Sequence, residues 1–222
     1  MKQAGSQSWS LSTSNDEAAH VCLYIRDAMG LEPIGIDVPP RLVNFNAASN
    51  QPAEPSERGD LSFAWLVWWR RLIQVTSALQ LGSLSNLPRD QRPGAHVSAI
   101  RSIFDPFEEF ESLKDFPPLR NAAQLFWKKG VEWTSVNVGP PSRLHGSLIP
   151  KTVAERVIEE HRVLPELVQA AVLVLNVQGK WSQIAQPRVL LCSSEAFGDD
   201  TFFAFRLKET FESGLGETGV HE

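Results

Sequence analysis

Cys192 is the residue whose type and position most invite a chemical role. Residues 189–194 place this thiol and two hydroxyls at the end of an apolar run that predicts a buried strand. A catalytic thiolate needs a nearby base, and we consider His145 or His161 for that base, with Asp199 or Asp200 to orient it. A cysteine that finishes an apolar strand is more often a small core residue. A cysteine-dependent hydrolase or transferase is therefore an alternative hypothesis.

The other sequence motifs that could bind a ligand are incomplete. Glu17 and His20 have the spacing of half a carboxylate-bridged two-metal site, but the sequence lacks the second copy that such a site needs. Residues 214–219 match a dinucleotide-binding glycine pattern, but they follow a predicted helix instead of a strand. The sequence has neither a P-loop nor clustered zinc ligands. We expect no metal and no cofactor.

A cluster of tryptophan and arginine is the most distinctive feature of the chain, and it comprises Trp65, Trp68, Trp69, Arg70 and Arg71. Adjacent helix positions differ by about 100°, so three tryptophans within five residues cannot all face the same way on a helix. Core packing accounts for most of the cluster, and a partner chain could cover the remainder. We predict that these five residues form a partner-binding surface.

The composition limits the classes of partner. The 222 residues include 21 basic and 26 acidic side chains, which gives a formal net charge of −5. This charge provides no general attraction to nucleic acid or to an anionic membrane. Residues 127–133 interleave lysine with tryptophan, as single-strand binders do, so a nucleic-acid-binding accessory protein is a third hypothesis. The negative net charge nevertheless disfavours nucleic acid as a partner, and the expected partner is another protein chain.

The expected compartment is the cytoplasm. Two cysteines cannot support a disulfide scaffold, and each lies in an apolar setting. Residues 1–14 lack the apolar core of a signal peptide. The longest apolar run, residues 61–69, is far shorter than the roughly 20 residues that span a bilayer. We therefore expect no transmembrane segment.

Two helices are predicted in the first third of the chain. Ser14 and Glu17 have the spacing of a capping box, and helical apolar periodicity continues to the glycine at position 30. These signals predict a helix over residues 15–29. Apolar residues then repeat at spacings of three and four from residue 61 to about residue 81. This stripe predicts a second helix, capped by Asp60, that is apolar around most of its circumference.

The middle of the chain is expected to change from helix to strand. Pro117 and Pro118 predict the end of a short helix. A further helix from Leu119 is expected to end at Gly130, because a glycine that follows two lysines is typical of a helix C-terminus. Residues 131–138 are predicted to form a strand, which Gly139 and the two prolines that follow it would end.

The last third is richer in signals for strands. Thr152 and Glu155 have capping-box spacing and predict a helix that ends near Pro165. Three apolar segments predict strands, with a hairpin turn at residues 178–179 between the first two: 170–177, 180–184 and 188–193. Asp199 or Asp200 is expected to begin a final helix.

This order predicts an α+β fold, in which a helix-rich N-terminal two-thirds packs with a small, mainly antiparallel sheet formed largely by the C-terminal third. We divide the chain into an N-terminal helix and extended segment (1–45), a polar linker or mobile loop (46–60), a main α+β domain (61–213) and a flexible tail (214–222). The alternative is that the whole chain forms one single domain.

The leading functional hypothesis is a non-catalytic cytoplasmic subunit or adaptor that binds another protein within a larger assembly. It depends on the lack of clustered catalytic groups, on the unusually apolar helix, and on the proline-containing loops at residues 46–60 and 82–94. Active sites are assembled in space, however, so a missing motif is weak support. The Cys192 hydrolase or transferase and the nucleic-acid-binding accessory protein stay open as alternatives.

Overall fold

The computed structural model describes residues 9–45, 52–81, 110–139 and 148–216. These residues form helices packed on both faces of a four-stranded sheet, which confirms the α+β class. The elements in chain order are β1 (Ser10–Ser14), α1 (Glu17–Ala28), α2 (Arg58–Gln80), a 3-10 helix (Glu111–Leu113), α3 (Pro117–Asn137), α4 (Ile149–His161), a second 3-10 helix (Pro165–Leu167), β2 (Gln169–Leu175), β3 (Ser182–Gln186), β4 (Val189–Ser193), α5 (Ser194–Gly198) and α6 (Asp200–Ser213).

The first helix begins later than the capping box predicted. Asp16 is the N-cap, and its carboxylate accepts a hydrogen bond of 2.8 Å from the amide of Ala19. Ser14 instead belongs to β1, a strand that the polar sequence of residues 10–14 did not predict. The helix ends as expected before Gly30, whose φ of +62° suits a residue without a Cβ atom.

The second helix begins earlier than predicted, at Arg58. Its N-cap is Glu57, and Asp60 lies inside the first turn, where a carboxylate still interacts favourably with the helix dipole. Three residues of the predicted linker thus belong to the helix. Residues 46–51 of that linker lie outside the described part of the chain.

The largest difference from expectation is in α3. Pro117 and Pro118 occupy its first turn, where a missing amide hydrogen costs no hydrogen bond. The helix continues through Gly130 to Asn137, so the strand predicted over residues 131–138 was wrong. A Cβ atom on Gly130 would lie 3.1 Å from the Cγ1 atom of Val21, so this glycine permits close packing of α3 on α1. Tertiary packing here outweighs local strand and helix-end signals.

The sheet is mixed, whereas a mainly antiparallel sheet was expected. Its strand order is β1-β2-β4-β3, with β1–β2 and β2–β4 parallel and β3–β4 antiparallel. The predicted hairpin between β2 and β3 was wrong, because β4 lies between them. The inner strands β2 and β4 are almost fully buried, while the more polar β1 and β3 lie at the edges.

The two faces of the sheet are covered by different helices. Alternate residues of β2 and β4, such as Leu173 and Leu191, pack with α1, α2 and α3. Their neighbours Val172 and Cys192 pack with α4, α5 and α6 on the opposite face. The final helix has Asp199 as its N-cap, as predicted, but the predicted capping box of α4 was wrong because that helix already begins at Ile149.

Candidate protein-interaction surface

Cys192 is placed as a core residue. It lies in β4 with 1% of its surface exposed, and burial raises the pKa of its thiol to about 12. The thiol is therefore protonated near neutral pH, and a thiolate nucleophile is not formed there. The neighbouring hydroxyl of Ser193 caps α5 by accepting a hydrogen bond of 3.1 Å from the amide of Ala196.

The other predicted catalytic groups have separate partners. His161 is exposed on α4, and its Nε2 atom lies 2.9 Å from Oε1 of Glu212. Asp199 binds the Lys180 ammonium at 2.6 Å, which lowers the pKa of that carboxyl group. His145 lies outside the described residues. Within the described part of the chain, the structure does not unite a thiol, an imidazole and a carboxylate.

Glu160, His161 and Glu212 bring three potential metal-ligand atoms within 4.8 Å of one another. Lys208 already contacts both carboxylates, at 2.6 Å from Glu160 and 3.3 Å from Glu212. The single ammonium group thus offsets part of the negative charge of the two carboxylates and occupies the space between them. We interpret the cluster as an ion-pair network that joins α4 to α6.

The Glu17–His20 pair has a different use from the one its spacing suggested. His20 is completely buried, and its Nδ1 atom lies 2.7 Å from the carbonyl oxygen of Asp16. Its Nε2 atom accepts a hydrogen bond of 3.0 Å from the amide of Asn176. The neutral imidazole therefore joins the start of α1 to the end of β2, while Glu17 points to solvent.

The three clustered tryptophans are core residues, with exposures of 0%, 3% and 0% for Trp65, Trp68 and Trp69. Trp65 and Trp69 stack with their ring centroids 5.6 Å apart. Trp68 packs edge-on against Phe110 of the same chain. Buried rings cannot supply the contact atoms of a surface, so any partner-binding role of α2 depends on its exposed side chains.

The exposed side chains of α2 include the two arginines of the predicted partner-binding cluster. Arg70 donates two hydrogen bonds, of 2.7 and 2.9 Å, to the carboxylate of Asp37 and lowers the pKa of that group. Arg71 is also exposed, and it forms no ion pair with a described residue. The pair Arg70–Asp37 connects α2 to the loop that follows α1.

An apolar surface lies beside this ion pair. Four large side chains form it: Ile34 and Ile36 from the loop, and Phe63 and Val67 from α2, with exposures of 92%, 81%, 64% and 44%. A groove of about 400 Å³ separates the two elements and is lined in part by Pro33, Leu66 and two of these residues. We call these four residues the apolar surface. Large apolar groups exposed on neighbouring elements can mark an interaction site.

A buried ion pair holds the far end of the loop. Arg26 donates to the carbonyl oxygens of Pro39 and Pro40 at 2.5 and 2.8 Å. Its neighbour Asp27, 2.7 Å from the guanidinium, accepts a hydrogen bond of 2.8 Å from the amide of Leu42. Both charges are thus paired and hydrogen-bonded, as burial requires.

The helix α2 holds the near end and the middle of the same loop. The hydroxyl of Ser62 accepts a hydrogen bond of 3.1 Å from the amide of Glu32. The indole of Trp69 donates one of 3.1 Å to the carbonyl oxygen of Asp37. The two isoleucines between these points are therefore presented to solvent by an anchored backbone. A preformed surface loses little conformational entropy on binding.

Sequence reasoning missed the apolar surface. The signal was present in part, since Phe63 and Val67 are four residues apart and lie off the stripe of Leu61, Trp65 and Trp68. The sequence predicts a helix that is apolar around most of its circumference, and only the structure distinguishes its covered side from its exposed side. Comparison with protein-family models, curated proteins and solved structures gives no match to this chain. None of the described helices is both long and apolar enough to cross a membrane.

Proposed function

We propose that this protein is a non-catalytic binding subunit of a protein assembly and that it contacts its partner through the apolar surface. The observation that carries the proposal is the exposure of four large apolar side chains on an anchored loop and an adjoining helix. Burial of such groups against a partner removes apolar area from water, which is the main driving force of association. The buried thiol of Cys192 gives no comparable support to the hydrolase alternative.

We propose that this assembly is located in the cytoplasm. Both cysteines are buried free thiols, which is compatible with a reducing compartment. The net charge of −5 favours a protein partner over nucleic acid.

The test is affinity purification of the full chain from its own cells, with measurement of the native mass and of the co-purifying proteins. We expect Phe63→Asp to abolish recovery of a stoichiometric partner, because a carboxylate would be buried in the apolar contact. Phe205→Asp is the matched control, since Phe205 is also exposed, at 59%, but lies on α6 across the sheet. Equal recovery from wild type and the Phe63 variant would contradict the proposal.

A further inference from the structure

The exposed face of α2 has an ordered pattern of charge. Asp60, Phe63, Val67 and Arg71 follow one another at spacings of three, four and four, and all four are exposed. Residues at these spacings lie on one side of a helix. The stripe therefore has an acidic end, an apolar centre and a basic end.

This pattern is complementary to itself. Asp60 and Arg71 each lie 5.5 residues from their midpoint, or about 8 Å at a rise of 1.5 Å per residue. Phe63 and Val67 lie on either side of that midpoint. If a second α2 packs antiparallel about a two-fold axis there, Asp60 faces Arg71 of the second copy and the apolar side chains meet at the centre.

The charged ends of the stripe are available for such a contact. Among the described residues, neither Asp60 nor Arg71 forms an ion pair, whereas the nearby Arg70 is bound to Asp37. The exposed loop residue Ile34 lines a groove together with Phe63 of the stripe and so extends the apolar centre. In a two-fold contact the same groups are buried on both copies, so the total buried area is twice the area that one stripe contributes. This doubling brings a stripe on a single helix closer to the area that a specific interface buries.

We propose that the protein forms a two-fold homodimer in which the stripe of α2 packs antiparallel against the same stripe of a second copy. This inference rests on the proposed function and specifies the partner at the apolar surface as another copy of the chain. Charge complementarity sets the antiparallel direction, since a parallel pairing would place like charges opposite each other.

The test is the mass of the purified full chain in solution, by sedimentation equilibrium over a range of concentrations. We expect a species of twice the 24.7 kDa chain mass. Asp60→Arg and Arg71→Asp should each raise the dimer dissociation constant by about tenfold or more, because each creates two like-charge contacts per dimer. The double variant Asp60→Arg with Arg71→Asp restores opposite charges and should recover the affinity to within about threefold.

Arg156→Asp is the control for charge reversal, since Arg156 is exposed on α4 across the sheet and should leave the dissociation constant unchanged. Circular dichroism and thermal melts establish that each variant is folded. A wild-type monomer at 100 μM, or single variants that the double variant does not rescue, would overturn the homodimer. If the wild-type chain is a monomer but co-purifies with a different protein, and Phe63→Asp abolishes that association, the proposed function stands and only the identity of the partner is wrong. If no protein depends on Phe63, the proposed function fails as well.

Discussion

Replacement of Trp69 by alanine distinguishes a core role from a surface role for the tryptophan cluster. Trp69 is completely buried, stacks on Trp65 and donates a hydrogen bond of 3.1 Å to the carbonyl oxygen of Asp37. Truncation of a buried tryptophan removes its transfer free energy and leaves a cavity, at a cost of about 3–5 kcal/mol. Since domains of this kind are stable by about 5–15 kcal/mol, the variant should lose a large part of its free energy of unfolding.

The assay is equilibrium unfolding in urea, followed by circular dichroism, for wild type, Trp69→Ala and Trp69→Phe. The phenylalanine variant retains a ring against Trp65 but loses the indole donor, so we expect it to cost only about 1–2 kcal/mol. If Trp69 were a partner anchor, the alanine variant would stay folded and lose about 2 kcal/mol or more of association. A free energy of unfolding within about 1 kcal/mol of wild type, together with loss of the partner, would refute the core assignment.

Two further predictions concern buried titratable groups. Cys192 should react with iodoacetamide only as fast as the chain unfolds, because its pKa is raised to about 12; rapid labelling of the native protein in a mass-spectrometric time course would contradict this. Burial lowers the pKa of His20 below its ordinary value of 6.5, so on acidification the unfolded chain takes up a proton at this site before the folded chain does. The free energy of unfolding should therefore fall as the pH drops below 6.5, and urea titrations at pH 7 and pH 5 should show a smaller fall for His20→Gln.

Several elements could be predicted from the sequence because their signals are local. The apolar periodicity of α1 and α2 and the Asp199 cap of α6 depend on residues within a few positions of one another. The apolar runs of β2 and β4 are likewise continuous in sequence. Together these local signals were sufficient for the α+β class, which depends on the kinds of element and their order.

Predictions failed where a contact between distant residues outweighed a local preference. Gly130 resembles the end of a helix, but its missing side chain serves the approach of Val21 in α1. The sheet order could not be predicted, because the position of β4 between β2 and β3 depends on which strands pair. Register and pairing follow from burial on both faces, and one face is covered by α1, α2 and α3, which lie far from β2 and β4 in the chain.

The candidate site shows the same division. By itself, the sequence determined that α2 is strongly apolar and that it carries three tryptophans followed by two arginines. Only the tertiary structure decided that the tryptophans are covered while Phe63 and Val67 are not. The hydrophobic pattern of a helix indicates which of its residues are apolar. The elements that pack against the helix determine which of those residues remain exposed to water.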